Sequence, residues 1–522
     1  MFRRRIQQPV EIENNVKNEK LSTNINVNVS YTQSIMGRSD DLIIQRFSAA
    51  TNNKLQLAIS YIDGIVNSEV INSEVMERVL LGLKGSTLSQ KVLNGPLEDF
   101  LVYCDLSVSQ YRIVHQKQEM IDHLLIGNAI LFIDGFSSAV AISVKAWEDR
   151  NVSKPDSQTV VRGPKDGFIE TLRTNTSLIR RRIKSPKLRF ITKTIGELTK
   201  TNVCIGYIDG IANDKIITEL EARLDRINID AVLESGNIEE LIQDETASIF
   251  PTILNTERPD AACAGLLEGR VVVIIDGSPF VLILPSLFIQ YIHASEDYYH
   301  RTHIAIAIRM LRVIALFLAI FTPSIYVALS TFHQEMIPSP LLVNLASQRE
   351  GVPFPSILEA VVMLLAFEIL HEAGIRMPRA VGSAISIVGA LVLGEVAVQA
   401  GFVSSVMVIV VALTGICTFV IPAFSMAMPI RLIRFLFLIF SSLFGLIGVL
   451  FGTFLLIFHL CSLRSFGVPY MTPFGPFILQ EQEDAILRLP LWRLIYRPLN
   501  IVQKDKIRQQ NPRQAKPKPP KR

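Results

Sequence analysis

The sequence predicts an α/β cytoplasmic domain made of two related subdomains, followed by an α-helical multi-span transmembrane domain. Three observations carry this expectation. The phrase Tyr-Ile-Asp-Gly-Ile occurs twice, at Tyr61–Ile65 and Tyr207–Ile211, each time after an alternating apolar run and before an apolar-periodic stretch. The long apolar runs lie between Ile304 and Cys461, whereas the chain before them reads as ordinary globular sequence. Arginine pairs stand beside those runs, where the positive-inside rule expects cytoplasmic loops.

Taken in order, residues 1–40 are rich in Asn, Gln, Ser and charge and read as a disordered tail. Residues 41–161 and 162–300 read as the first and second α/β subdomains. Four segments end in Ile-Asp-Gly. Tyr61–Gly64 and Tyr207–Gly210 lead into helical spacing, with Asn67 and Asn213 where an N-cap is expected. Phe132–Gly135 and Ile274–Gly277 each separate two apolar runs, which is a hairpin signal. The four aspartates, Asp63, Asp134, Asp209 and Asp276, are read as turn residues, because Asp before Gly bonds local backbone and no His or Cys cluster accompanies them. Between the subdomains, Arg180, Arg181, Arg182, Lys184, Lys187 and Arg189 form a basic run. It either contacts anionic membrane lipids or an acidic partner, or is a solvated linker or strand edge, and the sequence leaves both open.

Residues 301–461 form the expected transmembrane domain. "SEDYYHR", ending at Arg301, reads as an interfacial elbow with paired tyrosines at headgroup level. Apolar segments follow at Val313–Phe332, Pro355–Ala373, Val381–Phe402, Val403–Met428 and Leu432–Leu460. Arg309 and Arg312 precede the first. Arg376 and Arg379 lie between the second and third, and Arg431 and Arg434 between the fourth and fifth, so these loops share the cytoplasmic side with the N-terminal domain. Five plain spans would place the basic C-terminal segment, residues 462–522, outside. A re-entrant segment or a helical hairpin would avoid that. The last segment, roughly 43 Å as a straight helix, is read as one tilted span.

Ionisable groups inside apolar segments are expensive and mark candidate sites. Glu395 and Glu368 stand out, with His371 one turn from Glu368. Glu368 and Glu372 also lie where they could pair with Arg376 and Arg379. Gly445, Gly448 and Gly452 give a small-residue spacing suited to close helix packing within or between subunits.

Other chemistry is weak. Five scattered cysteines without a Cys-x-x-Cys pair argue against a disulfide framework or zinc site. No apolar stretch follows the basic residues at the N-terminus, so no signal peptide is read. "GLKGST" lacks phosphate-loop spacing. Glu368-x-x-His371 occurs once, and a di-iron bundle needs two copies. A net charge of +4 without an aromatic platform does not point to nucleic acid. No cofactor, metal or catalytic residue is expected, and the chain is not read as an enzyme.

Five stretches carry a resemblance: "RGPKDGFIETLRTNTSLIRRRI", "TNVCIGYIDGIA", "SEDYYHR", "MPRAVGSAISIVGALVLGEVAVQAGFVS" and "SFGVPYMTPFGPF". In this order they resemble the A subunits of GerA-type nutrient germinant receptors of endospore-forming bacteria. The resemblance implies a receptor in the spore inner membrane in which the A subunit works with a transporter-like B subunit and a lipoprotein C subunit. It implies a homo-oligomer that passes ions when nutrient is sensed. Two other classes stay open: a transporter-like protein that binds the nutrient itself, and a scaffold that organises the receptor without conducting.

Overall fold

A computed structural model describes residues 19–49, 55–83, 95–104, 110–144, 155, 158–376, 389, 392–502, 504–509 and 516. The first lobe is a five-stranded antiparallel sheet of β1 (Leu42–Ala49), β2 (Leu55–Ile62), β3 (Tyr111–Val114), β4 (Asn128–Ile133) and β5 (Ala139–Ser143), in the order β1-β2-β4-β5-β3. The second is built from β6 (Leu188–Ile195), β7 (Thr201–Ile208), β8 (Leu254–Thr256), β9 (Val271–Ile275) and β10 (Val281–Leu284), in the order β6-β7-β9-β10-β8. The strand orders are the same. Central strands β4 and β9 are buried along their whole length, because apolar layers cover both faces of each sheet. That burial is why they read as unbroken apolar runs.

The likeness extends to single hydrogen bonds. Each sheet is preceded by a helix, α1 (Ile25–Met36) in the first lobe and, in the second, the segment Leu172–Arg182, here α3; α2 (Lys117–Leu125) lies between them in sequence. Asp134 accepts from the backbone N–H of Ile25 at the start of α1, and Asp276 from that of Leu172 at the start of α3. Asn28 bonds both backbone groups of Ser22, and Asn175 both of Ile169. Gly64, Gly135, Gly210 and Gly277 all have φ between 80° and 93°, a region that a side chain disfavours. Asn67 and Asn213 cap the following helices, the second being α4 (Asp214–Asp225). Asp134 and Asp276 thus serve helix N-termini across the lobe, whereas Asp63 and Asp209 meet Arg173 and Arg189.

Two expectations are corrected here. Residues 1–40 are not a tail throughout: α1 buries Ile25, Val29, Thr32 and Met36 against the first sheet, at a helical spacing that its polar composition conceals. Residues 1–18 lie outside the described set. The basic run is neither a lipid contact nor a solvated edge as a whole. Arg180 is fully buried, donating to Asp41 at 2.8–3.0 Å and to Ser39, and Arg189 donates to the Met36 and Ile35 carbonyls. These bonds pin the lobes together.

Two helices, α5 (Ser235–Ile242) and α6 (Pro259–Leu267), complete the second lobe. Beyond it stand α7 (Thr302–Thr331), α8 (Ser339–Arg349), α9 (Ser356–Arg376), α10 (Ser405–Phe419) and α11 (Phe424–Ser462). Two of these, α7 and α11, are long and apolar enough to cross a membrane. One core runs from the second sheet into the bundle, joining Phe250, Ile289 and Tyr291 to Ala315, Phe437 and Leu460. α7 leaves the lobe and ends beside the start of α9, where Ser330 bonds Ser356. α9 returns. Ser404, which opens α10, is back at the far end against Glu359, and Phe419 closes α10 beside His371. The expected segment Val403–Met428 is therefore broken at Val420–Ala423, and its last residues belong to α11. Most of Val381–Phe402 lies outside the described residues.

The last apolar segment is a tight helical hairpin and not one tilted span. Gly445 has φ 62° and ψ −141°, which breaks the helix at the far end beside His333. The two arms then pack face to face. Phe440 and Phe451 have ring centroids 5.9 Å apart, whereas a straight helix would separate those residues by roughly 16 Å. A Cβ on Gly448 would strike the Phe440 carbonyl, and one on Gly452 would lie 3.0 Å from the Phe437 and Phe440 rings. The second arm descends to the second lobe, where His459 meets Ser248 and Ser465 donates to the Thr252 carbonyl. A Phe437→Cys/Gly452→Cys pair should be bridged within one chain by a short bifunctional thiol reagent, recovered as a linked peptide by mass spectrometry. A straight helix would hold that pair about 22 Å apart and give no linked peptide.

Candidate functional site

Charge collects at three places in and around the bundle. The first is the elbow. Asp297 is 1% exposed and lies between two guanidiniums: Arg309 Nε at 2.9 Å and Arg312 Nη1 at 2.8 Å. Arg309 also donates to the Asp484 side chain and to the Asp484 and Ala485 carbonyls at 3.0–3.1 Å. Arg488 donates to the carbonyls of His300 and Tyr298. The C-terminal segment is thus tied to the root of α7. The elbow tyrosines do not sit at headgroup level, because both point into protein: Tyr298 donates to Asp484 at 2.8 Å and Tyr299 to Asp260 at 2.6 Å.

Beside the elbow is a cavity of about 390 Å³, lined by α6, the elbow and the C-terminal segment, including Asp260, Arg270, His293, Glu481 and Asp484. Its walls raise the cost of charge. Burial, with Arg309 adding to it, pushes the His293 imidazole down to about 3, although the residue as a whole is only partly covered; His293 donates from Nε2 to the Ala485 carbonyl at 2.8 Å. Burial pushes the Asp484 carboxyl and the Tyr298 hydroxyl up.

The second place is inside the bundle. Glu368 of α9 accepts from Arg431 at 3.0 Å and from Arg434, both on α11, and Arg431 also donates to His371 Nδ1 at 2.9 Å. Arg434 is fully buried. Arg431 and Arg434 are therefore not loop residues. They lie within a helix and hold α11 against α9. Glu372 pairs with Arg376 one turn on, at 2.6 Å. Arg379 lies outside the described residues.

The third place is the far end. Glu359 is 0% exposed, and its Oε1 accepts from the Ser404 backbone N–H at 2.6 Å and from the Ser404 hydroxyl. Glu395 is set apart from all three. It sits on the π-helical turn Val392–Val396, exposed, and accepts only a 3.3 Å bond from Gln399 among the described residues. The three glycines lie at and between the hairpin arms, within one chain. Sequence reasoning missed Asp297, whose guanidinium partners stand 12 and 15 residues on, and Asp484, which lies 175 residues from Arg309. Glu359 was visible in the sequence as one of the ionisable residues that make Pro355–Ala373 the weakest span, shielded from lipid or irregular, but it was not singled out as a candidate site.

Asp297→Asn should lower the stability of the full chain by about 3 kcal/mol, because it removes the buried carboxylate that Arg312 pairs with and one of the two that Arg309 pairs with; thermal unfolding in detergent measures this. His293 has a second consequence. Its folded value lies below the unfolded value of about 6.5, so the unfolded chain takes up that proton first as pH falls. Its contribution is intact above pH 6.5 and lost between there and about 3. His293→Gln, which keeps a donor for Ala485, should flatten that part of the stability–pH curve.

Comparison with known proteins follows the same outline. The Bacillus/Clostridium GerA spore germination protein model matches residues 30–500. The chain is 44% identical to spore germination protein KA of Bacillus subtilis (strain 168), over 95% of this chain and 90% of that protein. It is 35% identical to spore germination protein B1 of the same organism, over 94% and 100%. The N-terminal domain of the A subunit of the Bacillus megaterium spore germinant receptor GerK3 is 34% identical, covers 52% of this chain and 98% of its own, and superposes with a TM-score of 0.41. A match over most of the chain, by family and by individual relatives, places it in the GerA family of spore germination proteins.

Proposed function

We propose that the chain is the A subunit of a nutrient germinant receptor in the spore inner membrane, that it oligomerises there, and that the assembly releases ions when nutrient is sensed. A transporter-like B subunit and a lipoprotein C subunit complete the complex. The two lobes are a duplicated unit facing the cytoplasm. The bundle is multi-span, and the hairpin at Gly445 returns the C-terminal segment to the same side.

The observation that carries oligomerisation is Glu395. Its carboxylate lies on the outside of an apolar bundle, without a cation partner among the described residues. Facing lipid, such a charge costs about 3 kcal/mol by insertion scales. Cover by a second copy, or a water-filled path between copies, removes that cost. Glu368 has the opposite character, since two arginines occupy it. That makes Glu368 and His371 helix-holding groups, and leaves Glu395 as the residue for ion passage.

Glu395→Gln separates this reading from a scaffold role. In spores carrying the substitution, receptor level should stay normal while nutrient-triggered ion efflux falls. Normal level with normal efflux would remove Glu395 from conduction, and reduced level alone would favour the scaffold.

A further inference from the structure

The far end of the bundle holds a buried carboxylate that its own chain leaves half-satisfied. Glu359 lies one turn inside α9, fully buried, among Val327, Ala360, Met363, Val403 and Met407. Oε1 takes both hydrogen bonds from Ser404. Oε2 is buried and has no partner. No arginine, lysine or histidine lies within 4 Å of the carboxylate among the described residues, in contrast to Glu368, Asp297 and Asp41, each of which meets at least one guanidinium. Ser404 is the N-cap of α10, so the positive end of that helix adds partial charge but no full countercharge. Arg349, at the end of α8, acts on Tyr326 and forms no ion pair with Glu359 among the described residues.

The neighbours of Glu359 are oxygens. The buried Tyr326 hydroxyl of α7 lies against Ser404, beside Glu359, without a well-formed hydrogen bond. One turn further along α7, Ser330 bonds Ser356, which lies one turn before Glu359 on α9, at 3.3 Å. Three elements, α7, α9 and the start of α10, therefore converge a carboxylate and four hydroxyls inside an apolar wall. An ionised carboxylate in such surroundings needs a neighbouring positive charge, since hydrogen bonds from one serine do not replace its lost hydration. A hard cation accepts this donor set of carboxylate and hydroxyl oxygens. With one carboxylate, and no group of three acidic, His or Cys ligands among the described residues, the charge that balances is single.

We infer that Glu359, Ser404 and Tyr326 form a binding site for a monovalent metal cation of about sodium size, which bridges α7, α9 and α10 at the far end of the bundle. The site goes beyond the ion-release reading and does not depend on it: the cation locks the corner at Ser404 whether or not the assembly conducts.

The test uses the purified full-length chain in detergent. Thermal unfolding is followed while NaCl replaces choline chloride at constant ionic strength. The wild-type Tm should climb with sodium and saturate. Glu359→Gln should lose the dependence while matching or exceeding the wild-type Tm in choline. Ser404→Ala, which removes one oxygen and keeps the backbone N–H, should retain the dependence with its midpoint moved to about tenfold more sodium. A wild-type Tm that ignores sodium overturns the site, as does one that follows pH alone, because a proton then neutralises Glu359. An unchanged sodium response in Glu359→Gln also overturns it. Should Glu359→Gln fail to fold, an unchanged midpoint in Ser404→Ala does so. Ion efflux from spores is not read here, so failure of this site leaves the ion-release proposal standing, and the reverse.

Discussion

Asp297 lies between Arg309 and Arg312 at the point where the α/β half becomes the helical half, and the remaining architecture hangs from that contact. A lone carboxylate or guanidinium buried there would cost several kcal/mol. Together, with Asp484 bound to Arg309 from the other side, they satisfy one another in one arrangement. That arrangement fixes the root of α7 to the elbow and to a segment 175 residues further along the chain. The apolar core then follows without interruption from the second sheet through Tyr291 to Phe437 and Leu460. A change at the elbow is therefore felt by the second lobe, the C-terminal segment and α7 together.

The same rule organises the lobes and the bundle. Arg180 with Asp41 joins the two lobes, and Arg434 with Glu368 joins α11 to α9. In each case a long arginine from one element reaches a single carboxylate on another. Arginine suits this use, because its planar fork keeps its charge and makes several bonds at once. Glu359 and Glu395 depart from the pattern. Among the described residues one is buried without a guanidinium, and the other is exposed on an apolar surface, which is why both carry proposals about what else binds.

Local features were legible in the sequence. Asn67 and Asn213 cap their helices, and the strand–turn pattern around all four Ile-Asp-Gly segments appears as read, because caps and turns are decided by neighbours in the chain. Features decided by distant partners were not. Arg180 looked like part of a surface run, since nothing near it announces Asp41. Arg431 and Arg434 looked like loop charges, since their acid lies on another helix. α1 was hidden by its asparagines and serines, although Ile25, Val29, Thr32 and Met36 keep helical spacing. The hairpin was hidden by a run of apolar residues in which Gly445 alone takes a left-handed conformation. At Glu359 the acid was visible, and its isolation was not, because that depends on which helices surround it.

The hairpin returns the C-terminal segment to the side of the two lobes, where it clamps α7. Impermeant thiol labelling of intact cells tests it most directly. In a Cys461→Ser background, which removes an exposed native thiol, single cysteines replace Gln480 in the C-terminal segment, Glu221 in the second lobe and Gln334 at the far end of α7. The account predicts that Gln334→Cys is labelled from outside, and that Gln480→Cys and Glu221→Cys are both protected until the membrane is opened. Labelling of Gln480→Cys from outside while Glu221→Cys stays protected would contradict it.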